Sequence, residues 1–143
     1  MSRYKEVTVK RMLVGKLDHG RDLLEELTLL CEKENIHLGW VSAIGAVQKA
    51  RLGYYDQQRR QYRFFELDQN LEVASLTGNI SVHDGKAMVH AHVTLCDPTG
   101  KTYGGHLAPG TIVFACEFAV MVLEGPEFVR DYDQTTGLNL WNI

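Results

Sequence analysis

Over "EVTVKRMLVGKL" (Glu6 to Leu17) apolar and polar residues alternate with a period near two, which predicts a first strand. The period then changes. In "DHGRDLLEELTLLCEKEN", Leu23, Leu24, Leu27, Leu30 and Cys31 fall on one stripe at helical spacing while Glu25, Glu26, Glu32 and Lys33 face away. This predicts the chain's main helix, with Asp18 or Gly20 as its cap, Asp22 in its first turn, and Asn35 closing it in a left-handed conformation. "IHLGWVSAIGAV" (Ile36 to Val47) predicts a buried strand with a bulge at Gly45. "RLGYYD" and "YRFFELD", flanking the polar "QQRRQ" (Gln57 to Gln61), predict a hairpin with a solvated tip.

"LEVASLTGNISV" and "KAMVHAHVTL" are joined by "HDGK", whose Asp84-Gly85 pair is a strong signal for a two-residue hairpin turn. A second reversal follows in "CDPTGK", where Pro98 suits the second turn position and Gly100 supplies a permissive φ, so "TYGGH" can run back beside the preceding strand. The apolar run Thr111 to Leu123 predicts a central strand, and the tail "GPEFVRDYDQTTGLNLWNI" a loop with a short end element. Strands dominate and one helix covers a face, so the expected fold class is α+β: an antiparallel sheet carrying one main helix, as a single domain over residues 1–143.

The strand Lys86 to Cys96 also carries the candidate chemistry. Its odd positions Ala87, Val89, Ala91, Val93 and Leu95 are apolar and face the core, so His90 and His92 share the other face, Cβ atoms roughly 7 Å apart. The Asp97–Gly100 reversal carries His106 back toward them, and Gly104 and Gly105 remove side chains that would crowd the approach. Three imidazoles on adjacent strands suit a divalent transition metal, zinc foremost, with an open position for water or a ligand. Glu117 interrupts the most apolar strand between Ala115 and Ala119. A carboxylate buried there needs a partner, which makes it a structural ion pair, a brace for a ligand histidine, or a general base near the metal. His19, His37 and His83 read as surface residues.

Composition narrows the function classes. The 143 residues carry a formal charge of −3 with pI about 6.0, which gives no cationic field for phosphate backbones; any DNA binding is expected to be weak and salt-driven. The aromatic and arginine mixture of "RLGYYDQQRRQYRFFELD" is interrupted by Asp56, Glu66 and Asp68 and reads as strand packing. The start lacks the apolar block of a secretory signal, and the longest apolar run is too short for a membrane helix. Cys31, Cys96 and Cys116 are odd in number and widely spaced, as for reduced, buried thiols, so the expectation is a soluble cytoplasmic protein.

With "GRDLLEEL", "GWVSAIGAV", "GNISVHDGKAMVHAHVTLCDPTGKTYGGHLAPG", "ACEFAVMVL" and "RDYDQTTGLNL" on the page, the chain resembles the plant and prokaryote conserved (PPC) domain family over nearly its whole length, in the stand-alone prokaryotic form. The resemblance implies a homotrimer and a metal held by His90, His92 and His106. In plant members the domain follows AT-hook segments and mediates assembly; this sequence has no Arg-Gly-Arg-Pro core, so the instrument for minor-groove binding is missing. Three functions follow as expectations: a metal-binding assembly or small-ligand module, a metal-dependent enzyme with Glu117 assisting, or a DNA-associated regulator, which the charge disfavours. Gly85, His90, His92 and Asp97 loosely imitate a cupin motif, but the acid sits in an Asp-Pro turn.

Overall fold

The computed structural model describes residues 2–143. Its elements are β1 (Thr8–Leu17), α1 (Leu23–Lys33), β2 (Gly39–Asp56), β3 (Gln61–Leu67), β4 (Leu71–His83), β5 (Lys86–Cys96), β6 (Thr102–Leu107), β7 (Ile112–Glu124), β8 (Arg130–Asp133) and β9 (Leu138–Trp141). The antiparallel sheet runs β1-β7-β2-β4-β5-β6, with β3 paired to β2, and this sheet-dominated α+β architecture matches the expected class.

The helix buries the expected stripe: Leu23, Leu27 and Cys31 are buried, with Leu24 and Leu30 packed against the same core. Each such leucine contributes about 1.5–3 kcal/mol through removal from water. Its cap is Asp22 rather than Asp18 or Gly20: Asp22 Oδ1 accepts from the Leu24 and Glu25 amides at 3.0 Å. The other oxygen accepts from the Gly110 amide at 2.6 Å, so one carboxylate both starts the helix and ties it to the loop before β7. Asn35 closes the helix at φ 52°.

The segments read as two separate strands, Ile36 to Val47 and "RLGYYD", form one strand, the 18-residue β2. The burial pattern changes phase at Gln48 and Lys49, both exposed, where the register with β7 shifts, and resumes at Ala50 and Leu52, so the strand carries on through the irregularity. The strand bulges at Gly45, φ 144°, where the register with β4 shifts and an added Cβ would collide with the Ala115 carbonyl. Its first half pairs with β4 and β7, its second with β3 and β6.

That second pairing closes the sheet. β6 hydrogen-bonds to β5 on one side and returns to β2 on the other, with Leu52 opposite Leu107 and Gly53 opposite His106. The β4–β5 hairpin turns through Asp84 (φ 49°) and Gly85 (φ 74°), both left-handed as a type I′ turn requires. The next reversal is held by Asp97, whose Oδ1 accepts from the Thr99 amide at 2.8 Å and the Lys101 amide at 3.0 Å. These bonds, with that from the Thr99 hydroxyl first among them, hold the Asp97 carboxyl below its ordinary range. β7 is interior, between β1 and β2, as expected. The tail is more ordered than a loop: β8 and β9 form a small second sheet, joined to β4 by the Val82 amide donating to the Phe128 carbonyl at 3.0 Å.

Closure depends on a side chain being absent. A Cβ at Gly105 would lie 2.8 Å from the Gly53 carbonyl oxygen and 3.3 Å from the Leu52 Cβ, both on β2. Gly105→Ala is therefore expected to destabilise the protein by roughly 1–3 kcal/mol, through overpacking of the β2–β6 seam. Gly104→Ala, whose Cβ would meet only the Val93 carbonyl at 3.1 Å and the Thr94 Cα at 4.0 Å, is expected to cost less. Denaturant midpoints check this; equal midpoints for wild type and Gly105→Ala would show that the seam has room to spare.

Candidate metal centre

His90 and His92 project from the face of β5 opposite its buried Val89, Ala91 and Val93, as strand parity requires. The Asp97 turn then sets the β5–β6 register so that His106 stands directly opposite His92. One ring nitrogen from each of the three lies within 4.8 Å of the others. The ring centroids are 5.2 Å apart for His90 and His92, 5.0 Å for His90 and His106, and 5.7 Å for His92 and His106. His92 is exposed; His90 and His106 are half-buried.

The donor set fits a divalent ion of the zinc type. His106 Nδ1 is buried and has no hydrogen-bond partner among the described residues, an arrangement that leaves a polar atom unsatisfied unless something else engages the ring. Burial drives His90 down to about 4, with His106, Arg130 and His92 adding repulsion; burial, then His92 and Arg130, does the same for His106. Both rings are therefore neutral at ordinary pH, the form in which imidazole donates to a metal.

The surroundings contain residues that strand parity on β5 does not reveal. Tyr62, on β3, stacks obliquely on His106 with centroids 4.7 Å apart, brought there by the β2–β6 closure. Arg130, at the start of β8, is buried. Its Nε donates to Ser81 Oγ at 2.8 Å, Nη1 to the Asn139 carbonyl at 3.0 Å and Nη2 to Asn79 Oδ1 at 2.7 Å, and Nη2 lies 3.5 Å from His90 Nδ1. Asn79 stands directly opposite His90 in the β4–β5 register. A cleft of about 320 Å³ opens beside His90 and His106, bounded by Tyr62, Met88, Arg130 and the β9 residues Leu138 and Leu140. Two signals were available for these residues: the polar alternation Thr77, Asn79, Ser81 on β4, and the "RDYDQTTGLNL" motif that Arg130 opens.

Several expectations change. Glu117 is exposed, not buried; it pairs across to Lys16 and Ile44 and borders a hollow with Gly45 and Glu72. Three strand spacings, roughly 14 Å, separate β7 from β5, so within one chain Glu117 neither braces a ligand histidine nor serves as a base beside the metal position. Cys31 and Cys116 are buried thiols as expected, but Cys96 is only half-buried. His19 is exposed, whereas His37 and His83 are half-buried; His83 Nδ1 lies 3.3 Å from the Arg130 carbonyl, close behind the site. The neighbouring "QQRR" tip is solvated, as expected.

Known proteins place this geometry in context. A structure of a metal-containing protein from Archaeoglobus fulgidus superposes with a TM-score of 0.94 at 42% identity, covering 98% of this chain and 99% of that one. A Ralstonia eutropha protein provisionally described as DNA-binding superposes with a TM-score of 0.82 at 31% identity, over 91% and 90%. Among curated sequences, the bifunctional protein GlmU of a Synechococcus strain is 34% identical over 125 residues, 85% of this chain; the chain spans 18% of that much longer protein. The profile of the Plants and Prokaryotes Conserved (PCC) domain matches residues 4–124, and to that family this chain belongs.

Proposed function

We propose that the chain is a metal-binding module that holds one divalent transition ion, zinc by its donor set, on His90, His92 and His106, and presents an open coordination position to a small ligand. The observation that carries this reading is the convergence of three imidazoles, two of them held neutral by burial, with the buried His106 Nδ1 left without a partner among the described residues. The metal-containing A. fulgidus relative supports it. Bound there, the ion would supply a Lewis acid. The chain's own contribution is to keep His90 and His106 neutral by burial, to fix His106 against Tyr62, and to set a cleft beside the open position. That cleft also gives the metal-dependent enzyme reading its support, although Glu117 is not its base. A DNA-associated role has less: the net charge is −3. No helix among the described residues is long and apolar enough to cross a membrane.

The reading includes a homotrimer. On the sheet face opposite the core, the register lines up Met12, Met121 and Trp40 in one row and Val14 with Ala119 and Ser42 in the next. Val14 is 78% exposed, Met12 58% and Trp40 47%. An apolar patch of this kind, spread over the edge strand β1 and its neighbours β7 and β2, is what a second copy would cover.

Replacing His106 by Ala is expected to lower metal affinity by at least roughly tenfold in protein purified without an affinity tag, while His37→Ala, remote from the cluster, leaves metal content unchanged. Full metal occupancy in His106→Ala, read by elemental analysis, would refute the three-histidine site.

The same burial predicts a pH dependence for chelator-treated protein. His90 and His106 are held near 4 against an ordinary 6.5, so between those values the unfolded chain binds more protons. Stability is full above about pH 6.5 and declines as pH falls toward 4, by a couple of kcal/mol in order of magnitude after discounting for the part-exposure of both rings. His106→Ala should show a shallower decline between pH 7 and 4.5 in denaturant titrations; an identical slope would show that burial of the rings is not the cause.

For assembly, light scattering at micromolar concentration is expected to return about three times the 16.2 kDa chain mass, and Val14→Asp to reduce it toward one. A wild-type monomer would refute the trimer.

A further inference from the structure

The electrostatics of the cleft call for something the chain does not supply. Arg130 is 7% exposed, yet no carboxylate among the described residues lies within ion-pair distance of it. Its hydrogen-bond acceptors, Ser81, Asn139, Asn79 and, at 3.5 Å, His90 Nδ1, are all neutral: they hold the guanidinium plane in place without offsetting its charge. Those bonds occupy four of the five N–H donors, which leaves one for a ligand in the cleft that Arg130 borders. A buried cation with no counter-charge is costly, and here it repels protons from both His90 and His106. The three histidines are neutral donors, so a divalent ion on them would keep its full charge beside Arg130. Positive charge is thus concentrated at one place in a chain whose net charge is −3.

We infer that the cleft binds a small organic carboxylate, its charged group seated on Arg130 next to the metal position and its carbon skeleton against Met88, Leu138 and Leu140. An anion is required by the uncompensated guanidinium, whose remaining N–H offers a carboxylate oxygen a charge-assisted hydrogen bond. A carbon skeleton is required by the walls: the cleft of about 320 Å³ is far larger than an inorganic anion and is bounded by these three apolar side chains. Tyr62, whose hydroxyl has no partner among the described residues, is placed to hydrogen-bond a second oxygen of the ligand. The inference rests on the metal reading of the neighbouring histidines only for the ligand's second contact; the contact with Arg130 stands without it.

The experiment titrates the full chain, zinc-loaded and metal-stripped in parallel, with 2-hydroxyisobutyrate and with its neutral amide, following heat or amide chemical shifts. The acid is expected to saturate and the amide to bind roughly tenfold more weakly or worse, as loss of a charge-assisted hydrogen bond predicts. Arg130→Gln, once shown to retain the wild-type zinc content, should lose roughly tenfold or more in acid affinity and leave the amide unchanged. Equal binding of acid and amide, no saturation by the acid below about 10 mM, or undiminished acid binding by zinc-replete Arg130→Gln would overturn the inference. Inorganic phosphate competing as well as the acid would overturn the carbon-skeleton part. Should Arg130→Gln fail to fold, the acid-to-amide ratio on wild type decides alone. Should wild type take up no zinc, the metal reading fails, and the same ratio on metal-free protein still tests the Arg130 contact.

Discussion

The β5–β6 register is the constraint from which the site follows. Asp97 and Gly100 fix the reversal between the two strands, and the length of that turn alone decides that His106 faces His92. A slip of one residue would turn His106 to the other face of the sheet and bring Gly105 or Leu107 opposite. The register cannot slip freely, because β6 is gripped on both edges: by β5 through the turn, and by β2 through Leu52–Leu107 and Gly53–His106. Leu107 is buried in the core, so the apolar side of β6 and its histidine side are set by one decision.

The same sheet face carries two different surfaces. Along one row the register runs from Met12 through Met121 and Trp40 to Asn79 and His90; along the next, from Val14 through Ala119, Ser42 and Thr77 to His92. One end is apolar and exposed, the other polar and built around imidazoles. Trp40 marks the border, its indole donating to Thr77 Oγ1 at 3.2 Å. Subunit packing as proposed would therefore press on the strands that carry the histidines, and would do so through backbone pairing, without a side chain having to travel between the two regions.

Much of this was legible in the sequence because it depends on local rules. Period-two alternation on β5, the Asp84-Gly85 turn and the Asp-Pro-Thr-Gly reversal are short-range signals, and together they place three histidines correctly. The helix stripe and the Gly45 bulge were readable for the same reason. What was not legible depends on the ring closure. Nothing local says that β2 continues past Gln48, that β6 returns to it, or that Tyr62 thereby meets His106. Glu117 shows the opposite error: an apolar neighbourhood in sequence suggested burial, but on an interior strand with one uncovered face the intervening residue points outward. Arg130 was hidden because a tail rich in Gly, Asn and Thr reads as loop, while its conformation is set by β4, some fifty residues earlier, through Ser81 and Asn79.

Arg130 and the histidines explain each other's peculiarities. A guanidinium does not lose its proton in proteins, so burying it leaves a fixed positive potential, and any group nearby that can shed a proton does so. His90 and His106 stay neutral chiefly through burial, then through repulsion from a neighbouring histidine and from Arg130, which readies them as metal donors. Yet a metal ion placed on them would add to the positive potential that Arg130 already sets beside them. With the proposed ion in place, three neutral ligands and an adjacent arginine would be balanced by an anion, as the inferred carboxylate beside Arg130 would supply. Had Glu117 stood beside the metal position, as a base or as a brace for a ligand histidine, its carboxylate would have offset part of that charge within the chain. Its placement three strands away on the same sheet face leaves that role, in the inference above, to the ligand.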